Sequence, residues 1–220
     1  LAGKQRAFAV VGLGTFGRTI ATELARFGDY VLGIDVEERQ VSAVADSLSE
    51  AVIADGRDEQ ALREAGVGRY DVGVVAIGED LEANILCTMN IKRLGVGTLW
   101  AKAISATHHQ ILTKLGADRV IHPEQEIGQH VAQMLHNPLV GDYLRLGDER
   151  YVVQIEAPEQ FDGQRIGELR LLDRFRVRCI AVLRGDRYRS ADDGTAEIAA
   201  GDKLLLLGGA RDLRVFGDTL

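Results

Sequence analysis

Cysteine is scarce in this chain, and what is missing narrows the field before any motif is read. Only Cys87 and Cys179 are present, far apart and each in apolar surroundings. That pattern argues against a disulfide scaffold and suits buried thiols in a reducing cytosolic compartment. No apolar run approaches the roughly 18 residues that a bilayer-spanning helix needs. The first residues, Leu1-Ala-Gly-Lys4, show no signal-peptide core, and no Met opens the chain, as expected of a trimmed or tagged terminus. Basic residues do not dominate either. The 26 Lys and Arg stand against 33 Asp and Glu, a formal charge of −7. A broad basic face for nucleic acid is thereby excluded, and no nucleic-acid partner is expected. Runs of one charge sign are absent, so there is no acidic tail. Aromatics make up only 5% of the chain, whereas glycine is plentiful, with 25 residues. Many glycines suit a sheet with short turns and closely packed helices. The 220 residues are 46% apolar, enough for one good core or for a larger domain plus a small one.

The richest local signal is Phe8-Ala-Val-Val-Gly-Leu-Gly-Thr-Phe-Gly17. An apolar run feeds into Gly12-x-Gly14-x-x-Gly17, an amphipathic stretch follows, and a second apolar run ends in Asp35. This is the strand, glycine turn, helix, strand, acid order of a nucleotide fingerprint. Gly12 permits the tight turn, Gly14 lets backbone approach a phosphate, and Gly17 lets the helix sit close to the sheet. Phosphate oxygens then meet N–H groups at the helix start. Asp35 can accept both ribose hydroxyls and disfavours a 2′-phosphate by charge. Asp55, at the end of the third strand, either approaches the adenine and ribose edge or caps its own turn. Arg18, in the first helical turn, either pairs with phosphate or lies in solvent. The end of the fourth strand, Ala76-Ile77-Gly78, brings backbone close to where the nucleotide would lie.

The periodicity predicts strands over 7–12, 30–35, 51–54, 71–77, 97–101 and 120–121, alternating with helices over 15–27, 37–46, 58–65, 80–94 and 105–115. Such alternation implies an α/β fold with a doubly wound parallel six-stranded sheet. An amphipathic helix over 124–136 follows, with Ile127, Val131, Met134 and Leu135 as its apolar stripe. It packs either on its own sheet or on a partner subunit. Asn137-Pro138 ends it. Residues 138–150 read as a connector with a short amphipathic piece. Beyond lies a small α+β unit over 151–220, with strands at 151–157, 177–183 and 203–207, short helices at 163–172 and 210–216, and a hairpin turn at Gly185-Asp186.

No catalytic constellation stands out. His108 and His109 are adjacent and diverge on a helix, and His130 and His136 do not share a face well. A Walker Lys-Ser/Thr pair is missing, as is a nucleophile elbow. Glu124, at the ligand edge of the sheet, either faces the nucleotide through a bridging cation or favours the start of its own helix. A small NAD-dependent oxidoreductase is the alternative function. It would need an acid or base near the nicotinamide and a substrate domain, for which the C-terminal unit is small. A third reading makes the glycine motif purely structural.

Taken whole, the chain resembles the cytosolic regulatory subunits of Trk/Ktr-type potassium transporters, built from an N-terminal RCK domain and a C-terminal RCK lobe. The segments that carry the resemblance are Phe8 to Gly17, Val31 to Asp35, Val74-Val-Ala-Ile-Gly78, Trp100-Ala-Lys102 and Leu115-Gly-Ala-Asp-Arg-Val-Ile-His-Pro-Glu124. The resemblance implies a Rossmann-type domain over 1–137 that includes a crossover helix, a connector over 138–150, and a C-terminal lobe over 151–220. It implies no enzyme, but a ring of eight subunits, assembled from dimers beneath a membrane transporter, that changes shape with ATP or ADP. NAD(H) serves some members. The cofactor residues implied are Gly12, Gly14, Thr15, Phe16, Gly17, Arg18, Asp35, Asp55, Ala76, Ile77, Gly78 and Lys102. Glu124 is the implied ligand of a cation such as Mg²⁺, and cyclic di-AMP binds the lobe in some members, around Arg174 to Ile180. One departure stands out. Related subunits carry Arg where this chain has Thr15, so either Arg18 substitutes or sensing of the terminal phosphate is weakened. The location implied is the cytoplasm, at the inner face of the membrane through the transporter.

Overall fold

A computed structural model describes residues 5–136, 140–147 and 150–220. By contact density the chain divides into two compact units, Leu1–Gln125 and Glu126–Leu220.

The first unit is built on six strands: β1 (Ala7–Val11), β2 (Tyr30–Asp35), β3 (Glu50–Ile53), β4 (Val72–Val75), β5 (Thr98–Lys102) and β6 (Arg119–Ile121). All pair in parallel, in the spatial order β3-β2-β1-β4-β5-β6. Five helices connect them: α1 (Thr15–Arg26), α2 (Glu38–Ser42), α3 (Glu59–Glu64), α4 (Leu81–Arg93) and α5 (Ala106–Lys114). The apolar run of β1 shows why the sheet is covered on both sides. Phe8 and Val10 join one core, with Ala21 of α1 and Val41 of α2. Ala9 and Val11 join the other, with Leu62, Cys87, Ile91 and Leu112 from α3, α4 and α5. A strand buried on both faces must be apolar at every position. The chain order reverses between β1 and β4, and an α/β sheet opens its ligand crevice at that switch, outside the carboxyl ends of the strands.

Two elements are shorter than the pattern predicted. The helix expected over 37–46 stops at Ser42. After it the backbone tightens into turns, with the Val44 amide donating to the Val41 carbonyl at 3.1 Å and the Ser47 amide to the Val44 carbonyl at 2.9 Å. Ser49 Oγ then accepts from the Val31 amide at 3.1 Å beside the sheet. The strand expected over 71–77 leaves the β4–β5 ladder after the Val75–Ala101 pair.

Helix α6 (Pro123–His136) leads out of the first unit, and its stripe is open, with Ile127, Val131 and Leu135 at 62%, 45% and 78% exposure. The second unit is an antiparallel sheet of β7 (Val140–Gly147), β8 (Arg150–Glu156), β9 (Arg178–Arg184), β10 (Arg187–Ser190) and β11 (Lys203–Gly209), ordered β10-β9-β11-β8-β7. Val153, Ile155, Val182, Leu204 and Leu206 face its core, closed by Leu213 and Phe216 of α8 (Ala210–Gly217). The stretch read as a connector is largely strand β7. Its backbone pairs with β8, a partnership that side-chain periodicity cannot reveal. Residues 137–139 and 148–149 of that stretch lie outside the described residues. The helix expected over 163–172 is a 3-10 turn at Ile166–Leu169 followed by α7 (Leu171–Phe175). Arg170 separates them at φ 46°, a left-handed conformation that no continuous helix admits.

Asp202 fixes the turn before β11. Its carboxylate is 2% exposed and accepts from Arg184 Nε and Nη2, each at 2.8 Å, and from the Ala199 amide at 2.8 Å. The Arg184 guanidinium holds this carboxyl below the usual carboxylate range, although burial opposes the shift. A lowered folded-state pKa stabilises above the unfolded pKa and is lost as pH falls through the folded one. Asp202→Ala should therefore cost the second unit about 2 kcal/mol at neutral pH. The gap from wild type should close below about pH 4, where the unfolded carboxylate protonates. Hydrogen exchange of 199–206 across a pH series measures both; a gap that widens in acid would refute the assignment.

Candidate functional site

The site grows from the turn between β1 and α1. Gly12 sits at φ 93°, and its amide donates to the Ile34 carbonyl at 2.8 Å. A side chain at Gly12 would meet the Ile77 amide nitrogen at 2.9 Å. A side chain at Gly17 would collide with the Gly12 carbonyl oxygen and crowd Ala76. Gly14 differs from both. It is the N-cap of α1, at φ −58°, and a Cβ there would meet nothing within 4 Å. No side chain caps this helix and no acid occupies its first turn, among the described residues. The first N–H groups of a helix need partners from outside it, and the helix dipole makes an anion the favoured one. The space over Gly14 is open to such an anion.

Asp35 ends β2 beside this turn. One carboxylate oxygen accepts from the Leu13 amide at 2.6 Å, the other from the Glu37 amide at 2.9 Å. Each oxygen keeps a further lone pair, so the group can take two hydroxyls while its geometry is fixed by backbone. The opposite wall is Ala76, Ile77 and Gly78, followed by Lys102 at the end of β5. Gly78 makes room for the lysine, because a Cβ there would lie 2.9 Å from Nζ. Lys102 Nζ stands 5.7 Å from the Phe16 ring centroid and bonds Glu124 Oε1 at 2.6 Å. The lysine side chain is only 11% exposed while Glu124 is 69% exposed. Lys102, more than any other group, holds the Glu124 carboxyl below its ordinary range.

The structure thus gathers Gly12, Gly14, Thr15, Phe16, Gly17 and Asp35 at one wall, and Ala76, Ile77, Gly78, Lys102 and Glu124 at the other. Thr15 and Arg18 are exposed on α1. Asp55 has taken the capping role. Its carboxylate accepts the Arg57 amide and lies in the Arg57 guanidinium fork at 2.7 to 3.0 Å. Sequence reasoning passed over Arg57, although its position two residues beyond an Asx turn was the available signal. It also passed over Asn84, and over the contact between His109 Nδ1 and His122 Nε2 at 3.0 Å. At Glu124 the protein by itself offers a cation a single carboxylate, so phosphate oxygens would have to supply the remaining ligands. Among the described residues no cluster of three or more His, Cys, Asp or Glu could hold a metal, and the one carboxylate is engaged by an ammonium.

The two exposed-versus-packed glycines separate by mutation. Gly14→Ala should leave stability within about 0.5 kcal/mol of wild type, yet weaken by at least tenfold whichever nucleotide the chain takes, since the methyl enters the open space. Gly17→Ala should cost about 3 kcal/mol or more, since it forces the helix off the sheet. Thermal melts and calorimetric titration test the pair; a neutral Gly17→Ala would refute the packing account.

Residues 8–123 match the TrkA-N domain and residues 150–220 the TrkA-C domain. The chain is 34% identical over 213 residues to the Ktr system potassium uptake protein A of Bacillus subtilis (strain 168), covering 97% of this chain and 96% of that one. It is 34% identical over 212 residues to the Ktr system potassium uptake protein C of the same organism, covering 96% of each. In fold it is similar to the GsuK channel bound to NAD, with a TM-score of 0.63 at 15% identity over 97% of this chain and 39% of that one. With two domain models spanning most of its length and relatives matched nearly end to end, the chain belongs to the TrkA/KtrA-type RCK family, the regulatory domains of potassium uptake systems.

Proposed function

We propose that this protein senses an adenine nucleotide and gates a potassium transporter through a change of shape in a homo-oligomer. The observation that carries this reading is the uncapped start of α1 over open space, with the Asp35 carboxylate beside it. In this reading adenosine lies on the β2 and β3 side, the first phosphates at β1, and whatever follows toward β4 and β5, an order that the strand sequence of the sheet supports. ADP or ATP satisfies this path, and so does NAD(H), as in the structural neighbour solved with NAD. The bound ligand would be held by Gly12 to Gly17, Asp35 and 76–78, with Lys102 and Arg18 available to its phosphates.

Gating requires a ligand to favour one conformation over another. Lys102 supplies the difference. Without ligand its charge is met by Glu124; with ligand, a terminal phosphate competes for the same ammonium. A coupling of about 1 to 3 kcal/mol per site is ordinary for such linkage, and several sites in one ring add. The open stripe of α6 is an apolar face suited to a second copy, so dimers built there and rings of them, octamers by family resemblance, are part of the proposal. So are the division into a domain over 1–137 and a lobe over 151–220, a Mg²⁺ or similar cation bridging Glu124 to phosphate, and docking at the cytoplasmic face of a Trk/Ktr-type transporter. In the second unit a cavity of about 220 Å³ is lined by Arg170, Leu171, Leu172, Arg178 and Asp192. That is smaller than the roughly 300 Å³ at which small-molecule pockets begin. Cyclic di-AMP would therefore need a second copy to complete its site.

Calorimetric titration with ATP, ADP, NADH and cyclic di-AMP, paired with native mass spectrometry, tests the proposal. At least one adenine nucleotide should bind below millimolar concentration, and Asp35→Ala should weaken it roughly 10- to 100-fold through loss of charged hydrogen bonds. Lys102→Met should bind ADP within tenfold of wild type but lose the nucleotide-dependent change in the oligomer. Absence of binding by every nucleotide would refute sensing; an unaltered response in Lys102→Met would refute the exchange of partners.

A further inference from the structure

Helix α4 carries a polar residue where an apolar one would pack better. Asn84 is fully buried, among Ala83, Cys87 and Ile91 on the inner side of the helix. Its Nδ2 donates to the Ile77 carbonyl at 2.6 Å and to the Lys102 carbonyl at 3.0 Å. Two carbonyl acceptors fix which way the amide lies, because only the NH₂ end can serve both. The Oδ1 atom is then left without a hydrogen-bond partner among the described residues. An unpartnered buried acceptor costs on the order of 1 to 3 kcal/mol. Asparagine is also a poor helix former. A residue kept for packing alone would carry neither cost.

What the two bonds accomplish is visible in the sheet. The β4–β5 ladder ends at the Val75–Ala101 pair. Beyond it β4 and β5 no longer pair, on the flank of the crevice that opens at the β1–β4 switch. There Asn84 ties Ile77 to Lys102. Both carbonyls belong to residues of the wall described above: the Ile77 amide nitrogen lies against Gly12, and Lys102 sends its ammonium to Phe16 and Glu124. We propose that Asn84 is a positioning residue that sets the width of the crevice on its phosphate side by clamping the ends of β4 and β5. This rests on the nucleotide-binding reading and deepens it. The clamp acts on the part of a ligand beyond the first phosphate, and it leaves the adenosine side, held by Asp35 across β1, untouched.

The test compares ADP with adenosine on the full chain. Asn84→Leu removes both donors on a side chain with the same branching but more bulk, and Asn84→Ser keeps one short donor should the leucine variant fail to fold. ADP affinity should fall tenfold or more in either folded variant, while adenosine affinity stays within twofold. Hydrogen exchange in the free protein should rise at 76–78 and 102–104 with the rest of the first unit unchanged. A purely structural asparagine would weaken ADP and adenosine by the same factor, or raise exchange throughout the unit; either result overturns the proposal, as does unchanged ADP affinity. A wild-type chain that binds ADP while both variants match it refutes the clamp alone. A wild-type chain that binds no nucleotide refutes the sensing function, and exchange at the two strand ends still reports on the clamp.

Discussion

The close approach of Gly17 to Gly12 is the constraint on which the site depends. The first turn of α1 can lie against the end of β1 only because neither residue carries a side chain. That contact aims the helix axis at the carboxyl edge of the sheet. It also places the Leu13 amide on Asp35 and the Gly12 backbone against Ile77. The dipole of one helix, the acid of the next strand and the far wall of the crevice are set by one steric fact.

The carboxylates around the crevice differ in how they are held. Asp35 is oriented by two backbone N–H groups, which neutralise little of its charge and leave acceptor capacity for hydroxyls. Asp55 is spent on Arg57, two residues away, and that fork makes it a clasp for its own turn. Glu124 lies between these cases. It is exposed and held by one lysine whose ammonium a polyanion would also attract. Burial alone distinguishes none of the three; the identity of the donor does.

Most of the first unit was legible in the sequence because its central strands β1, β2 and β4 are buried on both faces, so apolar runs report position directly. Asp35 and the three glycines were legible for the same reason, being tied to a turn with few solutions. What escaped was set by tertiary contact. α2 gives way to turns after Ser42, Ser49 is tied to Val31 far back in the chain, and β7 is held by its pairing with β8. Asn84 looked like one more polar position in a helix pattern, since its partners lie 7 and 18 residues away. Lys102 entered the site through family resemblance, because no local pattern shows that Gly78 clears a path for it.

Glu124 is the second residue of α6, the fourteen-residue rod whose apolar flank lies bare. The Lys102 tether therefore grips that rod at its root. An anion that drew the ammonium away would therefore also release the first turn of that helix from this anchor.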